Sequence, residues 1–296
     1  MIISASRRTD IPAFYVPWFL NRIRAGYFIS VNPYNYKQRK PVPLTPQGVT
    51  AIVFWTKNPG PLLPSLTYLD DLGYNYYFQF TLNHYPRLIE PGVPPLAERI
   101  ATFRKLGDHV GPHRLVWRYD PLLFSKEYSP EYHLAVFRAL SKALAGATLR
   151  CTFSFLNHYR QSDRRLAKVV PTLMSPPAEE RLALGQRMVE IGKEYGIEVG
   201  TCCEDGSDLP RHACIDGDLI SRIVGREVNI KKDPYQRSNC LCVSSVDMGS
   251  YHTCRAGCIY CYAVGSSRQV ENNLTRHDPQ SPQLIGQPEG EQLRLF

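Results

Sequence analysis

The chain has no apolar run approaching the roughly 18 residues that a membrane-spanning helix needs. Its start, MIISASRRTDIPAF, carries no long apolar stretch behind a basic head, so no secretory leader is expected. It also lacks a dense Lys/Arg tract, a glycine-rich dinucleotide or phosphate loop, and any repeat of fixed period. These absences argue against membrane insertion, against a Rossmann or P-loop nucleotide site, and against a solenoid. They leave the expectation of a cytoplasmic globular protein, and 43% hydrophobic with 21% charged residues suits one.

What the sequence does have is cysteine. A reducing cytosol disfavours structural disulfides, so clustered thiols there point to metal ligation or catalysis. Of the nine cysteines, seven lie between Cys203 and Cys261. The formal net charge is +8, which suits either a solvated basic surface or a cleft for phosphate, carboxylate or nucleic acid. Without a Lys/Arg tract the charge alone does not demand a nucleic-acid partner.

Runs rich in Val, Ile, Phe, Tyr and Thr predict strands near Ile2–Ser4, Ala51–Trp55, Tyr76–Thr81, Arg114–Arg118, Arg150–Phe155, Glu198–Cys202 and Val228–Ile230, with a further one near Tyr27–Val31. Between them Leu96, Ile100, Phe103 and Leu106 follow helical spacing and halt at Gly107. Leu134, Phe137, Leu140 and Leu144 repeat this before Gly146, and Leu184, Met188, Ile191 and Tyr195 before Gly196. Strands alternating with such helices imply an α/β fold with a parallel sheet. The unit length favours a partial or complete TIM-like (β/α) barrel over an open sheet. The expected division is a barrel over residues 1–235 and a cysteine-rich segment with tail over 236–296, packed on it. From about Asn272 the chain is rich in Gln, Pro, Asn and Gly, and is expected to be extended over the surface or partly disordered.

Cys254, Cys258 and Cys261 form C-x3-C-x2-C within CRAGCIYCYA. Three thiolates from one loop can hold three corners of a [4Fe–4S] cubane and leave one iron open to a cofactor. Zinc with a fourth cysteine from elsewhere is the competing reading, which no histidine at finger spacing supports. Tyr260, directly before the last cysteine, is placed to lie against the cluster or a bound adenine. Cys203, Cys214, Cys240 and Cys242 come from three further segments, and could saturate an auxiliary iron–sulfur cluster or a zinc ion, or be buried packing thiols. Cys151 and Cys202 fall inside predicted strands and are expected in the core.

CRAGCIYCYA resembles the radical SAM cluster motif, which usually follows the first barrel strand, whereas here it lies near the C-terminus. Together with SASRRTDIPAFY, FWTKNP, ACIDGDLI, QRSNCLCVSSVDMGSYHTC and HDPQSPQLIG, it makes the chain similar to an uncharacterised bacterial family. That family is a domain of unknown function whose C-terminal cysteine cluster is similar to that of radical SAM enzymes. The resemblance implies a TIM-like barrel, a [4Fe–4S] cluster with S-adenosylmethionine (SAM), and an electron donor such as flavodoxin or ferredoxin. It carries over no reaction. The substrate is expected to be a small or nucleotide-like molecule.

In such barrels functional groups gather where strands end. Just past the predicted strands stand Arg7, Arg8, Asp10, Lys57, Asn58, Asn83, Arg118, Asp120, Asn157, Glu204, Lys231 and Lys232. Arg7, Arg8, Asp10, Lys57, Asn83, Arg118, Asp120 and Glu204 are the candidate substrate contacts. Arg7 and Arg8 could clamp a carboxylate or phosphate, and Asp10 could equally cap the helix holding Trp18 and Phe19. The leading expectation is a radical SAM-like enzyme. An iron–sulfur redox carrier or sensor without SAM turnover and a zinc-stabilised nucleic-acid-binding protein are the alternatives. If the chemistry is that of a radical SAM barrel, Cys254–Cys261 must return to the rim where the strands end.

Overall fold

In the computed structural model, which describes residues 1–204 and 208–287, the chain runs through repeated strand–helix units. It starts with β1 (Ile2–Ala5), the short α1 (Ile11–Phe14) and α2 (Val16–Ala25), followed by a hairpin of β2 (Tyr27–Asn32) and β3 (Asn35–Pro43). Then come β4 (Ala51–Thr56), α3 (Leu66–Asp71), β5 (Tyr76–Thr81), α4 (Leu96–Val110), β6 (Leu115–Leu122) and α5 (Pro130–Leu144). The series continues with β7 (Arg150–Phe155), α6 (Arg160–Val169), α7 (Ala178–Glu194), β8 (Glu198–Thr201), α8 (Gly217–Val224), β9 (Val246–Asp247) and α9 (Ser267–Leu274).

Seven strands form one parallel sheet in the order β8-β7-β6-β5-β4-β1-β9. The α/β class and the parallel sheet are as expected from the sequence. Of the partial or complete barrel expected, the complete form is not seen: among the described residues β8 and β9 remain the two edges. The expected strand at Val228–Ile230 does not form. The seventh place beside β1 goes to β9, from the polar stretch that separates it from the cluster motif. The Tyr27–Val31 run does form a strand, but pairs only with β3, outside the main sheet.

The period of two along each strand divides the core. One face carries Ile3, Ile52, Phe54, Tyr76, Phe78, Phe80, Trp117 and Phe153, all buried among the helices. The other face carries Ser4, Val53, Trp55, Tyr77, Gln79, Arg118, Thr152 and Ser154. It is filled by α8 and its flanking segments, with Ile215, Leu219 and Ile220 against Ile2, Val53 and Tyr77. This second face is smaller and more polar, and it is where the chemistry-bearing residues collect.

One sequence expectation fails for a reason of packing. Gly107 does not end α4, which runs on to Val110; a Cβ at Gly107 would stand 2.9 Å from the Ala147 carbonyl oxygen, so this glycine permits a close crossing instead of a stop. The region after Asn272 takes the extended course over the surface that is one of its two expected forms, as far as Gln287. Trp18 Nε1 donates to the Ser281 carbonyl at 2.9 Å, Arg22 to that of Gln280 at 2.9 Å, and Ile29 N to that of Pro282 at 2.8 Å. HDPQSPQLIG is thus a strap across α2 and β2, and residues 288–296 lie outside the described part. No helix among the described residues is long and apolar enough to cross a membrane.

Candidate functional site

The loop carrying Cys254, Cys258 and Cys261 lies across the ends of the strands, where β1, β4, β5 and β7 finish. Each docking contact comes from a segment that follows a strand. Gly92 N donates to the Ala256 carbonyl at 2.8 Å and Ile259 N to that of Ile89 at 3.1 Å, both from the segment after β5. A Cβ at Gly92 would sit 2.7 Å from the Arg255 carbonyl oxygen, so only glycine allows this approach. Tyr15 donates to the Thr253 carbonyl at 2.7 Å, and Tyr262 to that of Arg7 at 3.1 Å. Arg165 on α6 reaches over the loop, donating to the carbonyls of Ile259 at 2.9 Å, Val264 and Gly265 at 2.8 Å, and also to that of Cys261. The loop turns through Gly257 at φ +67°, a left-handed conformation that a side chain would strain. Cys261 N then donates to the Cys258 carbonyl at 3.1 Å.

The three thiols pack with Val93, Ala256 and Tyr260 as small apolar groups. Burial pushes the Cys254 thiol up to about 12, and it raises those of Cys258 and Cys261 as well. The neighbouring charge acts the other way: Lys57 favours the thiolates of Cys258 and Cys261. Lys57 Nζ stands 2.9 Å from Glu90 Oε1 and 5.5 Å from the centre of the Tyr260 ring. Arg99 approaches the other Glu90 oxygen at 3.5 Å, and the Tyr260 hydroxyl donates to Glu90. Burial opposes the Glu90 charge, but Lys57 and Arg99 with these hydrogen bonds outweigh it and hold the carboxyl below its usual range.

Asp10 is the N-cap of α1, accepting from Ala13 N at 3.0 Å, and its other oxygen accepts from Lys57 N at 2.7 Å. Burial pushes its carboxyl up to about 6. It serves as a brace tying the ends of β1 and β4 beside Cys254. Asn83 is likewise structural, exchanging hydrogen bonds of 2.8 and 3.0 Å with the Asp120 backbone. Arg8 lies over Tyr251 at 5.1 Å.

Arg118 and Asp120 are not past a strand end, because β6 extends to Leu122; both project from its inner face. They pair at 2.8 Å, and Ser154 donates to Asp120. Arg118 also donates to Cys214 Sγ at 2.9 Å, which places it with the second cysteine group. Glu204 accepts from Phe155 N at 3.2 Å and lies 3.9 Å from Arg181. Asn58 accepts from Gly60 N at 3.1 Å in a local turn, and Asn157 accepts from Arg237 at 2.8 Å. Lys231 and Lys232 follow no strand; Lys232 donates to the Ser238 carbonyl.

The rim thus divides. Asp10 and Lys57 stand at the loop cysteines, Arg118 and Asp120 stand at the others, and Arg7 links the two. Its carbonyl accepts from Tyr262, while its guanidinium lies over Trp55 at 5.6 Å. Sequence reading missed Glu90, Arg99 and Arg165. No local signal marks them, since their role comes from tertiary contact alone. A depression of about 500 Å³ lined by Arg150, Glu198, His212 and Asp216 lies at the other end of the strands.

Among the described residues, no group of three or more His, Cys, Asp or Glu stands already arranged as a metal-ion site. The donor chemistry at the loop nevertheless fits a three-thiolate iron–sulfur cluster. Three soft sulfur ligands share one short loop, Lys57 can offset thiolate charge, and ligation removes the protons that burial now retains.

The chain belongs to the family described as Domain of unknown function (DUF1848), whose model matches residues 2–263. None of the curated proteins matches it. Among solved structures it is similar to a double mutant of spore photoproduct lyase with bound AdoMet and dinucleoside spore photoproduct, at 16% identity and a TM-score of 0.44. That alignment covers 67% of this chain and spans 60% of that one.

Proposed function

We propose that this protein is a radical SAM-type iron–sulfur enzyme acting on a small or nucleotide-like substrate. One observation carries the reading: C-x3-C-x2-C, although placed late in the chain, lies on the rim where the parallel strands end. Cys254, Cys258 and Cys261 would hold the cluster and leave one iron without a ligand from the loop. Bound there and reduced by a donor such as flavodoxin or ferredoxin, the cluster would supply the electron that cleaves SAM to methionine and a 5′-deoxyadenosyl radical.

The chain's own residues bind, orient and exclude water. Gly92, Ile89, Tyr15 and Arg165 fix the loop by its backbone, so the thiols are free for ligation. Lys57 offsets the negative charge that thiolate ligation brings in, and Glu90 in turn positions Lys57 and Tyr260. Arg8 over Tyr251 offers a partly exposed cation near the loop for a carboxylate or phosphate.

The test is anaerobic reconstitution with iron and sulfide, reduction by dithionite with SAM, and assay for 5′-deoxyadenosine. The wild type should form it, and Cys254→Ala, Cys258→Ala and Cys261→Ala should each abolish it with loss of one cluster's iron. Full activity in any of the three variants removes the assignment. A loaded, reducible cluster that yields no 5′-deoxyadenosine makes the carrier or sensor the better reading.

A further inference from the structure

Of the six cysteines outside the loop, five close on one another. Cys202 and Cys203 follow β8, Cys214 lies in the segment before α8, and Cys240 and Cys242 approach from the stretch before β9. The sulfurs of Cys202 and Cys214 are 3.1 Å apart. Further thiol–thiol contacts join Cys202 to Cys203, Cys203 to Cys240, Cys240 to Cys242 and Cys242 to Cys214. The result is a ring of five thiols on the inner face of the sheet. Cys202 is part of it because β8 ends one residue sooner than its sequence suggests.

The surroundings are built from several elements. Tyr77 and Gln79 on β5 donate to the Cys214 carbonyl at 2.7 and 2.9 Å. Ile215 N points at Cys242 Sγ at 3.3 Å, and Arg118 Nη1 at Cys214 Sγ at 2.9 Å. Arg118 and Arg7 lie over Trp55, at 5.2 and 5.6 Å. Both cations interact electrostatically with the thiols, Arg7 with Cys242 and Cys214, Arg118 with Cys214 and Cys202. Arg7 Nη2 and Trp55 Nε1 are buried donors without a hydrogen-bond partner.

Inert packing does not account for this arrangement. A neutral thiol is a weak acceptor, and a buried guanidinium turned toward it gains little for the loss of water. Arg118 has Asp120 as a partner, but Arg7 keeps an orphaned nitrogen. A disulfide would leave both arginines facing neutral sulfur. Four thiolates around a divalent metal or a [4Fe–4S]2+ core carry a net charge of about −2, and Arg7 and Arg118 both supply positive charge beside it.

We propose that Cys202, Cys203, Cys214, Cys240 and Cys242 form a second metal centre, in which four thiolates bind a thiophilic metal as tetrathiolate zinc or a saturated iron–sulfur cluster. Cys214 and Cys242, nearest the arginines, are ligands in either form. Each ligating thiol releases its proton to solvent. Around a single zinc with bonds of about 2.3 Å, the Cys202 and Cys214 sulfurs would move apart to about 3.8 Å. This centre shares no ligand with the loop, and it stands whether or not SAM is cleaved there.

The test uses the full chain with the loop ligands removed as Cys254→Ala/Cys258→Ala/Cys261→Ala, so failure of the loop reading cannot be mistaken for failure of this one. After anaerobic purification and exposure to zinc, or to iron with sulfide, the folded variant should retain about one zinc or one cluster's iron and sulfide per chain. Which metal it retains identifies the centre, and adding Cys214→Ser/Cys242→Ser should bring it to none. A folded loop variant that retains neither metal overturns the proposal. Should that variant not fold, alkylation of wild type decides. At least one of Cys203 and Cys240 should resist iodoacetamide when metal-loaded and react after chelation, and equal labelling of both in the two states refutes the centre.

Discussion

The two cysteine groups lie on one sheet, one across its strand ends and the other on a face, and they are held from different places. The loop group draws three sulfurs from eight residues, and its neighbours grip it by the backbone: Gly92, Ile89, Tyr15 and Arg165 all contact main-chain atoms. The thiol ring draws five sulfurs from segments spread over Cys202–Cys242, and is held through side chains that rise from the sheet, Tyr77, Gln79 and Arg118. Their counter-ions differ too. Lys57 is tied to Glu90 beneath the loop, whereas Arg118 is tied to Asp120 on a strand. A backbone grip tolerates exchange of the side chains between the cysteines. A grip from strands depends on the register of the sheet.

Glu90→Ala should break the comparison most sharply. It removes the one carboxylate between Lys57 and Arg99 and strands the Tyr260 hydroxyl. Removing one partner of a buried ion pair costs about 3–5 kcal/mol. The urea midpoint should fall accordingly, and the loop should lose its metal while the thiol ring keeps its own. Equal loss at both groups would mean that they form one cooperative unit and not two separable ones.

Arg165→Ala should have a smaller and more local effect. Four carbonyls lose a charged donor, and hydrogen bonds to charged groups contribute about 1.5–3 kcal/mol. Amide exchange across 259–265 should speed by about tenfold to a hundredfold, at 1.4 kcal/mol per factor of ten. Exchange across 214–243 should be unchanged. An unaltered loop would show that Gly92 and Tyr15 suffice to hold it.

The same contrast explains what could be read from the sequence. The positions of most strands follow from local pattern, because buried parallel strands are apolar runs and β1, β4, β5 and β7 stand out as such. The loop motif is legible because its three ligands fall within eight residues. The thiol ring was only half legible: spacing offered four scattered cysteines, but the inclusion of Cys202 and the approach of Arg118 and Arg7 depend on pleat and register. Val228–Ile230 misled because a short apolar run packs equally well as a loop beneath α8. Glu90, Arg99 and Arg165 stand beside ordinary residues, and only the fold brings them to the loop.

A titration at a residue outside both groups sharpens the comparison by separating loss of fold from loss of metal. His133 on α5 is fully buried, with Tyr119, Tyr132 and Phe124 packed about its ring. Its Nε2 lies 2.7 Å from the Leu123 carbonyl, which can only accept, so Nε2 carries the proton. Nδ1 then accepts from the Tyr119 hydroxyl at 3.0 Å in the neutral ring. Burial lowers the imidazole to about 4, so the unfolded chain takes up this proton before the folded one does. Stability therefore falls with acid from near the unfolded value of about 6.5 down to about 4, and is constant again below. Between pH 7 and pH 5.5 the loss should be about 1 kcal/mol, from 1.36 kcal/mol per unit of pKa difference. His133→Gln keeps a donor for Leu123 and an acceptor for Tyr119 but cannot titrate, so its unfolding free energy should lose that part of the slope. If metal is released from either cysteine group over the same interval in His133→Gln as in wild type, that release belongs to the thiolates. If the variant retains metal where the wild type does not, the core and the site unfold together.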